Sequence, residues 1–500
     1  MRVILDSMMK ITEADKEVIQ EIKEQLTFSN EKYIQAQKYS KYPVRNIPQF
    51  IHYYSPINGG IAVPRGFKLN LDNCIVEDRR IENTVKYPKC KIKLREDQNE
   101  ALTKYLDDPD KGLILLQTGK GKSILGLYIA YALKQKTLIV VHKSDLIDGW
   151  NKDAKMMFDD IECGLIKAKK RKVGEQITLA TIQTLNRLTE EELENLYKEF
   201  GCVIVDEVHV AGAKQYDLIN NFEGAYRIGL TATLERSDKL DTVLHYIFGG
   251  VAYSSKITKD DKDILPVSVQ MKAIDIDYNP KCHFTGRNYV YVPFKEWGSY
   301  TNLVDLDKVP QSKRPQINYH DITDVIVENP NYINTVVRDV RNEVNKGRKC
   351  LLVFTKKHHI DLYYDLFSNY YPKDKLTKYY GDNKDKIEVM KAKAEQSLIT
   401  LATYSIVTEG TNVKSWQSLF LVSSINNAKN TEQVVGRIRR IDGIKDRSYV
   451  YDYFFPRTIA VARHHYTRIT RYKKLLFDIS YEEPYTKFMD KKANVFSRGF

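Results

Sequence analysis

The stretch Leu115-Leu116-Gln117-Thr118-Gly119-Lys120-Gly121-Lys122-Ser123 follows an apolar run at 112–116 and opens a helical pattern over 124–134. A strand, a glycine turn and a helix in that order predict a phosphate-binding loop. Gly119 and Gly121 let backbone N–H groups curl around phosphate oxygens, Lys122 brings a point charge to the β/γ-phosphates, and Ser123 offers a hydroxyl to Mg²⁺. Thr118 and Lys120 complete the expected nucleotide contacts. Leu116 stands where the general pattern has its first Gly, so a second motif has to decide the reading. Cys202-Val203-Ile204-Val205 is a short β-branched run of the kind buried in parallel sheets, and Asp206 and Glu207 fall at its carboxyl end. Open α/β sheets bind ligands at that edge. Asp206 is then placed to hold Mg²⁺ through its water shell, and Glu207 to orient and deprotonate an attacking water. The plainer reading of the pair is an acidic turn capping the next helix. Together with the loop, the pair points to an NTPase.

A chain of 500 residues exceeds what one core organises, so two or three domains are expected. The 42% apolar content supports folded domains, and a net charge of +13 points to a polyanionic partner, nucleic acid first. Tyrosine outnumbers phenylalanine 34 to 18, and a ring with a polar tip suits wet interfaces and base stacking as well as ordinary cores. Six scattered cysteines form no Cys-x-x-Cys pair and no metal-spaced cluster, which reads as reduced thiols in a cytosolic protein. No span approaches the roughly 18 apolar residues of a membrane helix. A cytoplasmic protein is expected, in the host cytoplasm if the source is viral, with no membrane contact.

Apolar runs at 113–116, 137–141, 177–180, 203–205 and 227–230 alternate with helical patterns, as in a parallel sheet wrapped by helices. A second series follows at 267–274, 350–354, 397–402, 418–422 and 449–453 without a phosphate loop of its own. Residues 1–88 lack nucleotide motifs and read as a small module with a helix over 13–25 and Tyr/Pro/Gly-rich short strands. The aromatic-rich segment 282–314 fits neither sheet. No internal repeat or low-complexity tract is present.

Further segments fall into one order. Leu94-Arg95-Glu96-Asp97-Gln98 precedes the loop, Thr231-Ala232-Thr233 follows the acidic motif, and Gln433-Val434-Val435-Gly436-Arg437-Ile438-Arg439-Arg440 closes the second series. These resemble the motifs of superfamily 2 helicases over about residues 90–455. Asp206-Glu207-Val208-His209, the Leu-Arg-x-x-Gln lead-in and Thr231-Ala232-Thr233-Leu234-Glu235-Arg236 with Asp238 look closest to the group holding the XPB helicase and the phage helicase UvsW, and in that group to small phage branch-migration helicases. The resemblance implies an α/β fold of two tandem RecA-like parallel-sheet domains plus a small N-terminal α+β module. Its divisions are a DNA-engaging module at 1–88, an ATP-binding domain at 89–262, a second domain at 263–460 carrying the 282–314 insertion, and a basic helical extension at 461–500.

Roles carry over by resemblance. Gln98 reads the adenine edge with Arg95 nearby, and Gly410 joins the nucleotide contacts. Arg437 and Arg440 reach the γ-phosphate, where an arginine finger is worth roughly 10³–10⁵ in rate. His209 couples the acidic motif to Gln433. His142, Lys143, Gln183, Thr184, Thr355, Lys356, Thr403 and Thr408 match strand-tracking motifs, whose hydroxyls and ammonium groups suit phosphate rather than base contacts. His142-Lys143 stands where the family has Pro-Thr. The basic run 167–172 is either a second electrostatic contact or a solvated loop, and the basic helix around 463–474 either binds DNA or is a solvated face. Basic and aromatic residues interleave at 32–42 and 53–65, as in a DNA-engaging surface. The resulting expectation is a monomeric ATP- and Mg²⁺-dependent DNA helicase acting on branched or forked DNA. An RNA helicase and an idle scaffold are the alternatives.

Overall fold

The computed structural model describes residues 1–39, 44, 46–72, 74–117, 119–210, 218–234, 241–255, 264–380, 384–408 and 413–483. Thr118, Gly410, Glu235, Arg236 and Asp238 lie outside the described residues. The chain divides into two compact units, Met1–Lys256 and Ile257–Phe500.

In the first unit the described residues form an eight-stranded sheet. Its order is Lys170–Lys172, Gly164–Lys167, Ile177–Thr181, Thr137–Val141, Cys202–Asp206, Tyr226–Thr231, Leu113–Leu115, Val251–Ser254. Every neighbouring pair is parallel except the first. Thr137–Val141, Ile177–Thr181 and Cys202–Asp206 are buried along their whole length, because helices cover both faces and leave no solvent side to alternate toward. The helix Lys122–Leu133 follows the loop. At its Gly126 a Cβ would come within 2.9 Å of the Trp150 ring, so the glycine lets two helices approach closely.

The basic run 167–172, read as either a second electrostatic contact or a solvated loop, belongs to a hairpin: Gly164–Lys167 pairs antiparallel with Lys170–Lys172. The outer strand is exposed along its length and carries Lys170, Arg171 and Lys172, and such charge keeps a free sheet edge from pairing with another chain.

Residues near the N-terminus form a five-stranded sheet ordered Ser55–Ile57, Gly60–Pro64, Met8–Thr12, Arg2–Leu5, Ile75–Asp78. Its Val3, Met9, Ile11, Ile61 and Val63 belong to one apolar cluster with Leu113, Val203 and Phe248 of the larger sheet. Buried polar contacts join the same parts. Arg227 Nη2 donates to the Ser7 carbonyl at 2.6 Å, and Arg65 Nη1 to the Gly224 carbonyl at 2.6 Å.

The second unit holds a seven-stranded, wholly parallel sheet among its described residues. It runs Leu376–Tyr379, Ile399–Thr403, Cys350–Phe354, Ser418–Leu421, Ser448–Phe454, Val267–Ala273, Asp478–Tyr481. The 282–314 segment forms a sheet of its own, with Lys281–Phe284 between Tyr289–Val292 and Leu303–Asp305. Phe284, Phe294 and Tyr300 stay exposed on it.

The helix Ile459–Lys474 meets the expectation of a solvated basic face only at its end, where Lys473 and Lys474 are exposed, and Arg468 and Arg471 turn inward. Arg468 is buried and donates to both Asp452 oxygens at 2.6 and 2.8 Å, and Arg471 is buried against Glu432. The following strand completes the sheet edge beside Val267–Ala273. No helix among the described residues is long and apolar enough to cross a membrane.

Candidate nucleotide and nucleic-acid site

Strand order decides what meets at the carboxyl edge of the first sheet. Cys202–Asp206, Tyr226–Thr231 and Leu113–Leu115 are consecutive and parallel, so Asp206, Thr231 and the glycine loop emerge side by side. Gly119 and Gly121 take φ of 95° and 72°, a left-handed conformation that glycine adopts without strain. A Cβ on Gly121 would lie 2.6 Å from Gln98 Nε2. Gln98 is buried and ties the lead-in to the loop: its Nε2 donates to the Lys120 carbonyl at 3.0 Å, and its Oε1 accepts from Arg95 N–H. The Lys120 ammonium sits 3.1 Å from Asp97 Oδ2.

Lys122 opens its helix, and its Nζ lies 2.9 Å from Glu207 Oε1. Glu207 takes φ of 48°, an uncommon backbone for a residue with a Cβ and one that recurs at functional sites. Asp206 is buried, accepts from Trp150 Nε1 at 3.0 Å through Oδ2 and from Glu207 N–H through Oδ1. Burial first, and then the Glu207 charge, push the Asp206 carboxyl up to about 6, against the pull of Lys122. His209 Nδ1 lies 2.6 Å from Thr231 Oγ1 and 3.3 Å from Glu207 Oε2, which links the acidic motif to Thr231-Ala232-Thr233. The Ser123 hydroxyl donates to Asp153 Oδ2 at 2.5 Å. Two carboxylates thus face one ammonium, with a serine hydroxyl on the same loop. Hard oxygen donors with residual negative charge fit Mg²⁺.

Trp150 and Asp153 were not anticipated. Both lie on the helix Ser144–Met157, three residues apart and so on one face. That spacing was the available signal, but their partners are set by tertiary packing.

The strand-tracking candidates occupy the adjoining part of the same edge. His142 and Lys143 follow Thr137–Val141, and Gln183 and Thr184 follow its parallel neighbour Ile177–Thr181. Gln183 is exposed and donates to the His142 carbonyl at 2.6 Å. Thr184 is buried, accepts from Ala168 N–H and meets the Thr181 hydroxyl at 2.7 Å, so its hydroxyl holds the local fold.

In the second unit, Thr355 and Lys356 follow Cys350–Phe354, and Thr403 ends the parallel neighbour Ile399–Thr403. Thr355 is exposed, while Lys356 Nζ donates to Asp324 Oδ1 at 2.6 Å. Thr403 is buried, and the Thr408 hydroxyl donates to the Tyr404 carbonyl at 2.9 Å. Gln433 and Arg437 lie four apart on the helix Ala428–Ile438, with Arg440 just past its end. Arg437 donates to the Val407 and Thr408 carbonyls at 2.9 and 2.7 Å.

Residues 91–236 match the family described as "Type III restriction enzyme, res subunit". The probable helicase D10 of Escherichia phage T5 is 28% identical over 73% of this chain and 72% of its own. A putative ATP-dependent RNA helicase of Acanthamoeba polyphaga mimivirus is 22% identical over 71% and 62%. A DNA 3′-5′ translocase, XPB2 of Sulfurisphaera tokodaii, is 24% identical over 75% and 85%. The chain is similar to superfamily 2 helicases. Among solved structures, Dbp5 of S. cerevisiae, described as bound to RNA and ADP BeF3, matches with a TM-score of 0.51 and 13% identity over 81% of this chain and 94% of that one. That likeness concerns the two-domain RecA-like fold, which the two parallel sheets share.

Proposed function

We propose that this chain is an ATP-dependent DNA helicase or translocase that remodels forks, Holliday junctions or D-loops by branch migration in replication, recombination or repair. The observation that carries the reading is the single sheet edge where Lys122, Asp206, Glu207 and His209 converge beside His142, Lys143 and Gln183. A motor needs hydrolysis and strand grip to share an element, and neighbouring strands of one sheet supply that connection.

In this reading the glycine loop and Lys122 hold the phosphates, and Gln98 and Arg95 face the base. Ser123 and Asp206 hold Mg²⁺, which when bound offsets phosphate charge. Glu207 takes a proton from the attacking water, and Arg437 and Arg440 stabilise charge on the γ-phosphoryl group. Residues 1–88 engage the substrate, 89–262 bind nucleotide, and 263–460 with the 461–500 extension complete the motor. Phosphate contacts through Lys143, Lys356, Thr355 and backbone N–H groups favour grip without sequence preference. The net charge of +13 supports a nucleic-acid partner. A DNA substrate is supported by the translocase relative, and the mimivirus relative supports an RNA helicase as the second reading.

The test is strand separation by the full chain on a DNA fork, a four-way DNA junction, a plain duplex and an RNA duplex in parallel. Preference for the fork and junction bears out the proposal. Equal or better action on RNA moves the assignment to the second reading.

A further inference from the structure

Behind the turn that carries Thr355 and Lys356, four metal-ligand side chains converge. Asp324 lies on the helix Tyr319–Val327 and Glu328 caps it, four residues on and therefore over the same face. His358 and His359 open the helix Lys357–Ser368. His359 Nε2 lies 3.1 Å from Asp324 Oδ1 and 3.6 Å from Glu328 Oε1, and His358 Nε2 lies 3.3 and 3.5 Å from the same two oxygens. All four ligand atoms fall within 4.8 Å of one another.

Those separations have a geometric meaning. Four donors held about 2.0–2.1 Å from a tetrahedral ion sit about 3.3–3.4 Å apart, and the four imidazole–carboxylate distances bracket that value. His359 is fully buried, yet neither of its ring nitrogens meets a partner with good hydrogen-bond alignment, even though Nε2 lies 3.1 Å from Asp324 Oδ1. A buried imidazole normally finds a hydrogen-bond partner. Atoms aimed at a shared point, rather than at each other, produce short approaches with poor hydrogen-bond alignment, which is the arrangement seen.

We propose that Asp324, Glu328, His358 and His359 form a binding site for a divalent transition-metal ion of the zinc class. Two imidazoles select such an ion over Mg²⁺ or Ca²⁺, whose sites are built from oxygen. The ion would tie the start of one helix to the end of another and so fix the turn bearing Thr355 and Lys356. Lys356 opposes it. Its ammonium shares Asp324 Oδ1 at 2.6 Å and would repel a cation there, although its other bond is to the His320 carbonyl and it satisfies neither imidazole.

The experiment uses the full chain, stripped with a chelator and kept in excess Mg²⁺ so that oxygen-only sites stay filled. Zn²⁺ is titrated in competition with a chromophoric chelator, and Co²⁺ is followed by its visible absorption. The expected result is one tight equivalent per chain with the intense bands of tetrahedral Co²⁺. His358 and Glu328 side chains are 56% and 45% exposed, so His358→Ala and Glu328→Ala leave the fold intact. Each should weaken Zn²⁺ binding by about tenfold or more, since even partners one shell further out cost 10–100-fold. Lys356→Met should tighten it. Absence of a stoichiometric equivalent overturns the site, as does affinity unchanged in both ligand variants, which would place the metal on the cysteines or elsewhere.

Discussion

At the scale of single residues, the Lys122–Glu207 contact at 2.9 Å makes the proposed phosphate-binding ammonium and the proposed general base neighbours. The two roles separate by mutation. Lys122→Ala should abolish ATP hydrolysis to the limit of a phosphate-release assay while DNA binding by anisotropy remains measurable. Glu207→Gln should lose turnover but still bind ATP, because Asp206, Lys122 and the glycine loop are intact, and equilibrium binding of a fluorescent ATP analogue checks this. Trp150→Phe removes the indole donor from Asp206 and leaves a buried carboxylate oxygen without it. We expect kcat to fall about tenfold with little change in KM for ATP, as for loss of an outer-shell partner. That Lys122 follows a glycine turn and that Asp206 and Glu207 end a strand was legible in the sequence, because both patterns tie residue type to position along a strand–turn–helix. Trp150 and Asp153 were not, since their partners are 56 and 30 residues away in the chain and meet them only when helix and sheet pack.

At the scale of elements, charge was the misleading signal. Arg468 and Arg471 looked like surface cations because a sequence does not show whether Asp452 and Glu432 await them inside. The Arg468–Asp452 pair is almost wholly buried, so Arg468→Met should destabilise the second unit by about 3–5 kcal/mol, the penalty of leaving one buried charge uncompensated. Chemical denaturation measures it.

The same helix predicts a pH dependence. Burial holds the His464 and His465 imidazoles down to about 4, from an ordinary value near 6.5. Between those values the unfolded chain binds protons that the folded chain refuses, so stability is full above about 6.5 and falls as pH drops toward 4. The slope is about 1.4 kcal/mol per pH unit and per histidine. His465→Phe, which keeps the ring stacked on Phe454, should flatten the fall in melting temperature over that window. The buried strands were legible for the opposite reason: 137–141 and 350–354 are continuous apolar runs that only a sheet covered on both faces accommodates. The edge strands Lys170–Lys172 and Asp478–Tyr481 carry no such pattern, because they are mostly exposed and held by neighbours.

At the scale of the molecule, residues 1–88 share their apolar cluster with the first parallel sheet. Their removal would strip Val3, Ile11 and Val63 from that cluster and leave Arg227 without the Ser7 carbonyl. The truncated chain should therefore melt well below the full chain, and point substitutions of exposed residues are the better probe of substrate engagement. With a net charge of +13 and contacts assigned to phosphates, DNA affinity should fall steeply with salt, by several-fold to orders of magnitude between about 50 and 200 mM, with little dependence on base sequence.

Under the proposed function, nucleic acid held beside His142, Lys143 and Gln183 drives ATP hydrolysis at the Lys122–Glu207 part of the same sheet edge. The most direct measurement is the steady-state ATPase rate of the full chain with and without single-stranded DNA, beside Glu207→Gln. The expected rate is raised severalfold or more by DNA and absent in the variant. Hydrolysis indifferent to DNA and RNA alike, or surviving in Glu207→Gln, would contradict the proposed function.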